Sequence, residues 1–382
     1  MQKNLATLLA VLVGSTGLSG LILPAQAADD IKIAAAGAMT GPAASKGDQM
    51  HRGVEQAVKD LNAKGGVLGR RLALTVADDA CDPKQAVAVA NQLVARGVVF
   101  VDGHLCSGSS IPASTIYADS GVIMISPTST APALTDLAAK NGWFNIYRVC
   151  GRDDQQGVVG GRYLAERFKG KPVAFIDDKS AYGKGLADSA RETFVKAGGE
   201  VALHEEIVAG EKDFSSLITK MKRAKIAAFY YGGYEPEAGL LIRQEREQGF
   251  NAQLVGTDGL AADDFWAITG PAGENAIFTF PADPTRSPAA RAVVAEFEKD
   301  GPPPEGYVLY TYAAMQVFAQ AAEKAKSVKG SDLAKVLHST RFDTVIGPIQ
   351  FDAKGDATGN NFVLWHWHDG KYSELDPQPL TK

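Results

Sequence analysis

At 382 residues, with 45% hydrophobic and 22% charged residues, the chain has the make-up of a globular protein too long for one ordinary core, and two domains are expected. A formal net charge of -5, with no Lys/Arg run, excludes a nucleic-acid surface built on a basic stretch.

The first elements are those of a secretory signal peptide. Lys3 supplies the positive start, Leu8 to Val13 and Leu18 to Leu23 the apolar stretch, and Ala25-Gln26-Ala27 the small-residue cleavage pattern. Gly14, Ser15, Gly17, Ser19 and Gly20 interrupt that stretch, which argues against a transmembrane helix. Residues 1–27 are therefore set aside from the fold. No Cys follows the cleavage site to carry a lipid, and a soluble protein of a bacterial periplasm, without stable membrane insertion, is expected.

Strand and helix signals then alternate. IKIAAAG reads as a strand, GDQMHRGVEQAVKDLNAKGG as a helix ended by Gly65-Gly66, RLALTVADD as a strand, and PKQAVAVANQLVAR as a helix opened by Pro83. VVFVDG, a helix from about Ser109, and VIMISP follow. PTSTAPALTDLAAKNGWFNIYRVCGRDDQQ reads as irregular, after which the grammar restarts: helix VVGGRYLAERFKG, strand VAFIDD, helix AYGKGLADSARETFVKAGG, strand EVALHEEIV, helix FSSLITKMKRAK, strand AAFYYGG, helix PEAGLLIRQEREQG and strand QLVGTD. Such repetition with short turns predicts an α/β fold of two doubly wound parallel-sheet lobes.

Ligands of open α/β sheets sit beyond the carboxyl ends of the strands. Those ends are AAGAMTGPAASKGD, GHLCSGSS, ISPTSTAP, DDKSAYGKG, YYGGYEPE and VGTDG, rich in Ser, Thr, Tyr, Gly and acid. Of the three cysteines, Cys81 and Cys106 would emerge at one sheet edge, so a Cys81–Cys106 disulfide is expected, with Cys150 a free, inert thiol.

The chemistries of catalysis find little support. Ser107 lacks the G-x-S-x-G elbow of a serine hydrolase, and Gly183-Lys184-Gly185-Leu186-Ala187-Asp188 lacks the last glycine of a dinucleotide fingerprint. His366 and His368 share one face of a strand with no acid at zinc spacing, which reads as a surface strand. Asp352 to Asp356 lacks the terminal Glu of a calcium loop and reads as a polar turn. No cofactor, no metal and no catalytic residue are expected.

Recognition of a zwitterion fits better. Ser107, Ser109 and Ser110 open a helix whose free N–H groups and dipole favour a carboxylate, with Ser109 a candidate for a plain N-cap. Asp258 could neutralise an ammonium group, or merely hold a turn, while Tyr182, Tyr231 and Tyr234 could wall a pocket.

The blocks DDIKIAAAGAMTGPAA, DDACDPKQAVAVANQLV, GHLCSGSS, MISPTSTAPALT, DKSAYGKGLA, AGEKDFSSLI, YYGGYEPE and TVIGP, FDAKGD, WHWHDG together resemble the periplasmic leucine/isoleucine/valine-binding proteins of ABC importers, in order and over nearly the whole chain after the signal. The resemblance implies two lobes joined by three crossovers, 28–149 plus 283–359 and 150–282 plus 360–382, closing on one free amino acid. It places the α-carboxylate and ammonium clamp on Ser107, Thr128 (through its carbonyl) and Thr130, with Tyr182, Tyr234 and Asp258 closing from the second lobe. Leu105 and Cys106 would form part of the side-chain wall.

Two positions depart from the family. Lys46 stands where an aromatic is common, and Asp258 where Glu is common. Lys46 either aims a cation at a polar partner or swings to solvent with its stem over the ligand. The resemblance thus implies a monomeric receptor that passes a branched-chain amino acid to a membrane permease. The alternatives are the same receptor for a polar or acidic amino acid or a small amide, a ligand-sensing subunit, and, from another class, a periplasmic hydrolase of the same architecture.

Overall fold

The computed structural model describes residues 29–359 and 361–375, so the expected signal peptide lies outside the described residues. From Ile31 the chain forms β1 (Ile31–Gly37), α1 (Ala44–Ala63), β2 (Leu72–Asp78), α2 (Pro83–Ala95), β3 (Phe100–Gly103), α3 (Ser107–Ser120), β4 (Ile123–Ser126), α4 (Ala133–Asn141) and β5 (Ile146–Arg148). These five strands make one parallel sheet in the order β2-β1-β3-β4-β5.

A second run follows: α5 (Asp153–Arg167), β6 (Val173–Asp177), α6 (Ala181–Lys196), β7 (Val201–Glu206), α7 (Ser215–Arg223), β8 (Ala228–Gly232), α8 (Glu235–Glu247), β9 (Gln253–Gly256), α9 (Asp263–Thr269) and β10 (Ile277–Pro281). The chain then gives α10 (Arg291–Asp300), α11 (Val308–Ala325), α12 (Gly330–Ser339), a hairpin of β11 (Phe342–Thr344) and β12 (Gly347–Ile349), and finally β13 (Phe362–His368) and β14 (Lys371–Glu374). The second sheet runs β14-β13-β10-β9-β8-β6-β7. Its β6 to β10 are parallel, and β13 and β14 extend it antiparallel. The chain therefore passes between the sheets after Arg148, after Pro281 and before Phe362, while α11 packs on α1, β3 and β4 of the first.

The central strands are buried on both faces, as VAFID in β6 and AFYYG in β8 require when helices cover each side of a parallel sheet. Local chemistry sets the element ends. Asp82 caps α2, accepting from the N–H of Lys84 and Gln85, and Pro83 occupies the first helical position. Gly65 and Gly66 end α1 with positive φ, Gly66 N–H returning to Leu61 O.

Several expectations need correction. Residues 127–156 are not irregular: they hold α4, β5 and the first turn of α5. Polar residues within β5's surroundings hid it. Asn145 is buried and donates to Tyr117 O and Val122 O, and Arg148 is buried and fully bonded, so these polar side chains serve inside the fold. Helix α3 starts at Ser107, two residues early, with Cys106 in extended conformation at its N-cap, so Ser109 is not the cap. Tyr231 sits in the apolar core rather than in a pocket wall. His366 and His368 lie as expected on the outer face of one strand, β13, which runs between β10 and β14 with Trp367 fully buried on the opposite face. At 352–356 the backbone folds as a polar turn, Asp352 Oδ1 accepting from the N–H of Lys354, Gly355 and Asp356. Among the described residues no helix is long and apolar enough to cross a membrane.

Candidate functional site

The carboxyl edges of the two sheets face each other around a small pocket of about 20 Å³. Lys46, Leu105, Ser107, Thr128, Tyr182, Tyr234 and Asp258 all line it, together with Gly259 and Tyr307. Thr130 and Cys106 are not part of that lining. A wider groove of about 700 Å³, between Arg52, Lys59, Arg71 and Phe297, lies outside these edges and carries mixed charge.

The first sheet contributes the turn GHLCSGSS. Cys106 is bridged to Cys81 with Cα atoms 5.5 Å apart, and Met50, Leu105 and Cys106 form a small apolar cluster against Tyr234. Behind it His104 is buried between Asp79 (2.6 Å) and Tyr117 (2.8 Å), which fixes the ring and spends both nitrogens internally. The first turn of α3 points its Ser107 and Gly108 N–H groups out of the helix, and among the described residues neither has an acceptor. Ser109 and Ser110 N–H both return to Cys106 O.

The loop after β4 closes over this helix end. Ser107 Oγ accepts from Ala131 N–H, and Thr128 Oγ1 donates to Leu105 O at 2.6 Å. Arg148 donates to Ser129 O and Ala131 O, pinning the backbone on either side of Thr130, and pairs with Asp356 at 2.6 Å. The hydroxyls of Ser109 and Thr130 are buried and have no hydrogen bond among the described residues.

The second sheet contributes an acid and its supports. Asp258 opens a short 3-10 turn after β9, and its carboxylate accepts from Tyr182 Oη (2.6 Å), Gln156 Nε2 (2.8 Å) and Tyr307 Oη (2.6 Å). Burial pushes its carboxyl above the usual carboxylate range, while those three donors and the nearby Lys46 charge pull it back. Asp153, at the start of α5, is buried with neither oxygen bonded, and burial and the Asp258 charge push it well up. The two buried carboxyls thus oppose each other's ionisation. Tyr182 Oη also accepts from Gly259 N–H at 3.0 Å, and a Cβ on Gly259 would meet Gly233 O at 2.5 Å, so only glycine fits this close approach.

Lys46 is neither solvated nor stacked. Its stem enters the pocket from α1, only 4% exposed, and its ammonium forms an ion pair with the fully buried Glu235 and donates to Gly259 O at 2.6 Å. Gln49, one turn on, donates to Ala261 O and accepts from Tyr307 N–H, so α1 is stitched to both sides of the cleft.

Tyr307, Gln156, Asp153 and Glu235 were missed in the sequence. Glu235 adjoins the quoted block YYGGYEPE. Gln156 and Asp153 fell in the stretch read as irregular, and Tyr307 precedes a helix whose apolar pattern signals only core.

A family model described as periplasmic binding protein matches residues 30–371. The chain belongs to the periplasmic binding protein family. Members of this family bind solutes and are not enzymes. Among relatives of this periplasmic binding protein, a Brucella suis Leu/Ile/Val-binding protein homolog is 43% identical over 88% of this chain and 91% of its own. A Pseudomonas aeruginosa leucine-, isoleucine-, valine-, threonine- and alanine-binding protein is 42% identical over 94% and 96%. A leucine-binding protein from Thermotoga maritima superposes with a TM-score of 0.83 at 27% identity, covering 90% of this chain and 97% of that one. The isoleucine complex of a branched-chain amino acid transporter substrate-binding protein from Streptococcus pneumoniae gives 0.82 at 28%, covering 90% and 98%.

Proposed function

We propose that this periplasmic binding protein is the receptor of an ABC importer, capturing a free amino acid between its lobes and delivering it to the membrane permease. The observation that carries this reading is the opposition of two charge-seeking groups across one pocket. Open Ser107 and Gly108 N–H groups on the first side suit an α-carboxylate, and Asp258 with Asp153 on the second suits an α-ammonium. Ser107, Thr128, Thr130, Tyr182, Tyr234 and Asp258 would hold the amino-acid head, with Leu105, Cys106 and Lys46 toward the side chain.

The lobes are taken as 28–149 plus 283–359 and 150–282 plus 360–382, in keeping with the points where the chain crosses between sheets. A ligand touching both favours the closed arrangement by its differential affinity. A monomer in the periplasm, exported through a cleaved signal at 1–27 and using no cofactor, completes the reading. The branched-chain class is supported by the relatives named for leucine, isoleucine and valine and by structural neighbours holding isoleucine or Leu.

The buried Lys46–Glu235 pair favours a second reading, an amino acid with a polar side chain. Thermal-shift measurement of the ligand-stripped protein against the common amino acids tests both. A ligand at about a hundred times Kd adds about 2.7 kcal/mol of stability. No shift with any amino acid would overturn the proposal.

A further inference from the structure

We infer that the Lys46–Glu235 pair is the specificity-determining element of this site, and that it makes the pocket prefer a side chain ending in a neutral hydrogen-bonding group, a hydroxyl or carboxamide, over its apolar isostere. The inference rests on the amino-acid receptor reading above and names which side chain that site takes.

Lys46 lines the pocket, and of its three ammonium protons two are used, on Glu235 and on Gly259 O. One N–H remains for an acceptor on the ligand. Glu235 is fully buried and is not part of the pocket lining, so it holds the ammonium from behind and leaves that N–H to the ligand. An apolar side chain packed here would leave that N–H unmet, which a buried charged group tolerates poorly. The oxygen of a hydroxyl or carboxamide supplies the acceptor.

Because Glu235 already neutralises Lys46, a neutral side chain suits this end of the pocket. The ligand's own ammonium would sit with Asp258 and Asp153. A ligand carboxylate would have to compete with Glu235 for Lys46, and a second ligand cation would meet the Lys46 charge.

The test uses isosteric pairs, threonine against valine and asparagine against leucine, titrated calorimetrically into the ligand-stripped wild-type protein. Threonine and asparagine are expected to bind more tightly than their partners by about tenfold. In the double variant Lys46→Met with Glu235→Gln, which removes both charges together, the two ratios should fall to about one or reverse. If that variant does not fold by circular dichroism, Lys46→Gln with Glu235→Gln replaces it. Valine and leucine binding more tightly than their isosteres in the wild type, or ratios unchanged in the neutral variant, would overturn the inference while leaving an amino-acid receptor. Failure of all four to bind, with no thermal shift from any common amino acid, would remove the receptor reading and this inference with it.

Discussion

Tyr307 donates its hydroxyl to Asp258 at 2.6 Å, joining a residue at the head of α11 to one at the end of β9. With Tyr182 and Gln156 it holds the carboxylate by three donors, so Asp258 is oriented in the closed arrangement of the lobes. Asp258→Ala should weaken amino-acid binding by at least about a hundredfold, since it leaves the ligand's ammonium without its partner. Tyr307→Phe should cost about tenfold, and His366→Ala nothing. Calorimetric titration of the three variants checks this, and an Asp258→Ala protein with wild-type affinity would remove Asp258 from the site.

Arg148 is buried and pairs with Asp356 while bonding Ser129 O and Ala131 O. Arg148→Met leaves two carbonyls unmet and weakens the hold on the loop that carries Thr130. A loss of about 3 kcal/mol in urea unfolding is expected. An unchanged midpoint would show that the Arg148 bonds do not hold the loop.

The Cys81–Cys106 bridge closes a separation of 25 residues beneath the pocket wall. The double variant Cys81→Ser with Cys106→Ser should lose about 3 kcal/mol of stability, and reductant should do the same to the wild type. Cys150 is buried, and burial pushes its thiol far up, so it should resist alkylation until the protein unfolds. Rapid labelling of Cys150 in the folded protein would contradict this.

Burial pushes the Asp178 carboxyl up to about 6, against two hydrogen bonds from Ser180. The folded state therefore holds this proton more tightly than the unfolded chain does. Stability from this group falls as pH rises from the ordinary carboxylate range to about 6, and the full penalty persists above it. Asp178→Asn should accordingly gain more over the wild type at about pH 7.5 than at about pH 4.5, by up to about 3 kcal/mol. Urea midpoints at the two pH values decide it, and a gain that does not change with pH would show that Asp178 titrates normally.

Most of the architecture was legible in the sequence because its signals are local. Alternating apolar strands and capped helices such as IKIAAAG and PKQAVAVANQLVA are set by side-chain period and by residues such as Asp82, Pro83 and Gly66, within a few positions of what they control. The strand ends that carry the pocket were legible for the same reason. Seven of the residues named from sequence line one cavity, because side chains at the carboxyl edges of two parallel sheets can only meet there.

The rest needed the fold. Residues 127–156 read as irregular because β5 is only three residues long, and Asn145 before it and Arg148 at its end are polar yet buried and bonded to groups elsewhere in the chain, while Asp153 beyond it is polar yet buried. At the start of α3, Cys106, bridged to Cys81, stands extended at the N-cap, so the helix end offered to the pocket begins at Ser107. By itself the sequence determined the two α/β units, the disulfide partners and the pocket's chemistry of hydroxyls and acid. Only the tertiary structure decided that Lys46 meets Glu235, 189 positions on, and that Tyr307 supports Asp258. Such pairings depend on which sheet edges the three crossings bring together, and neither periodicity nor spacing encodes that.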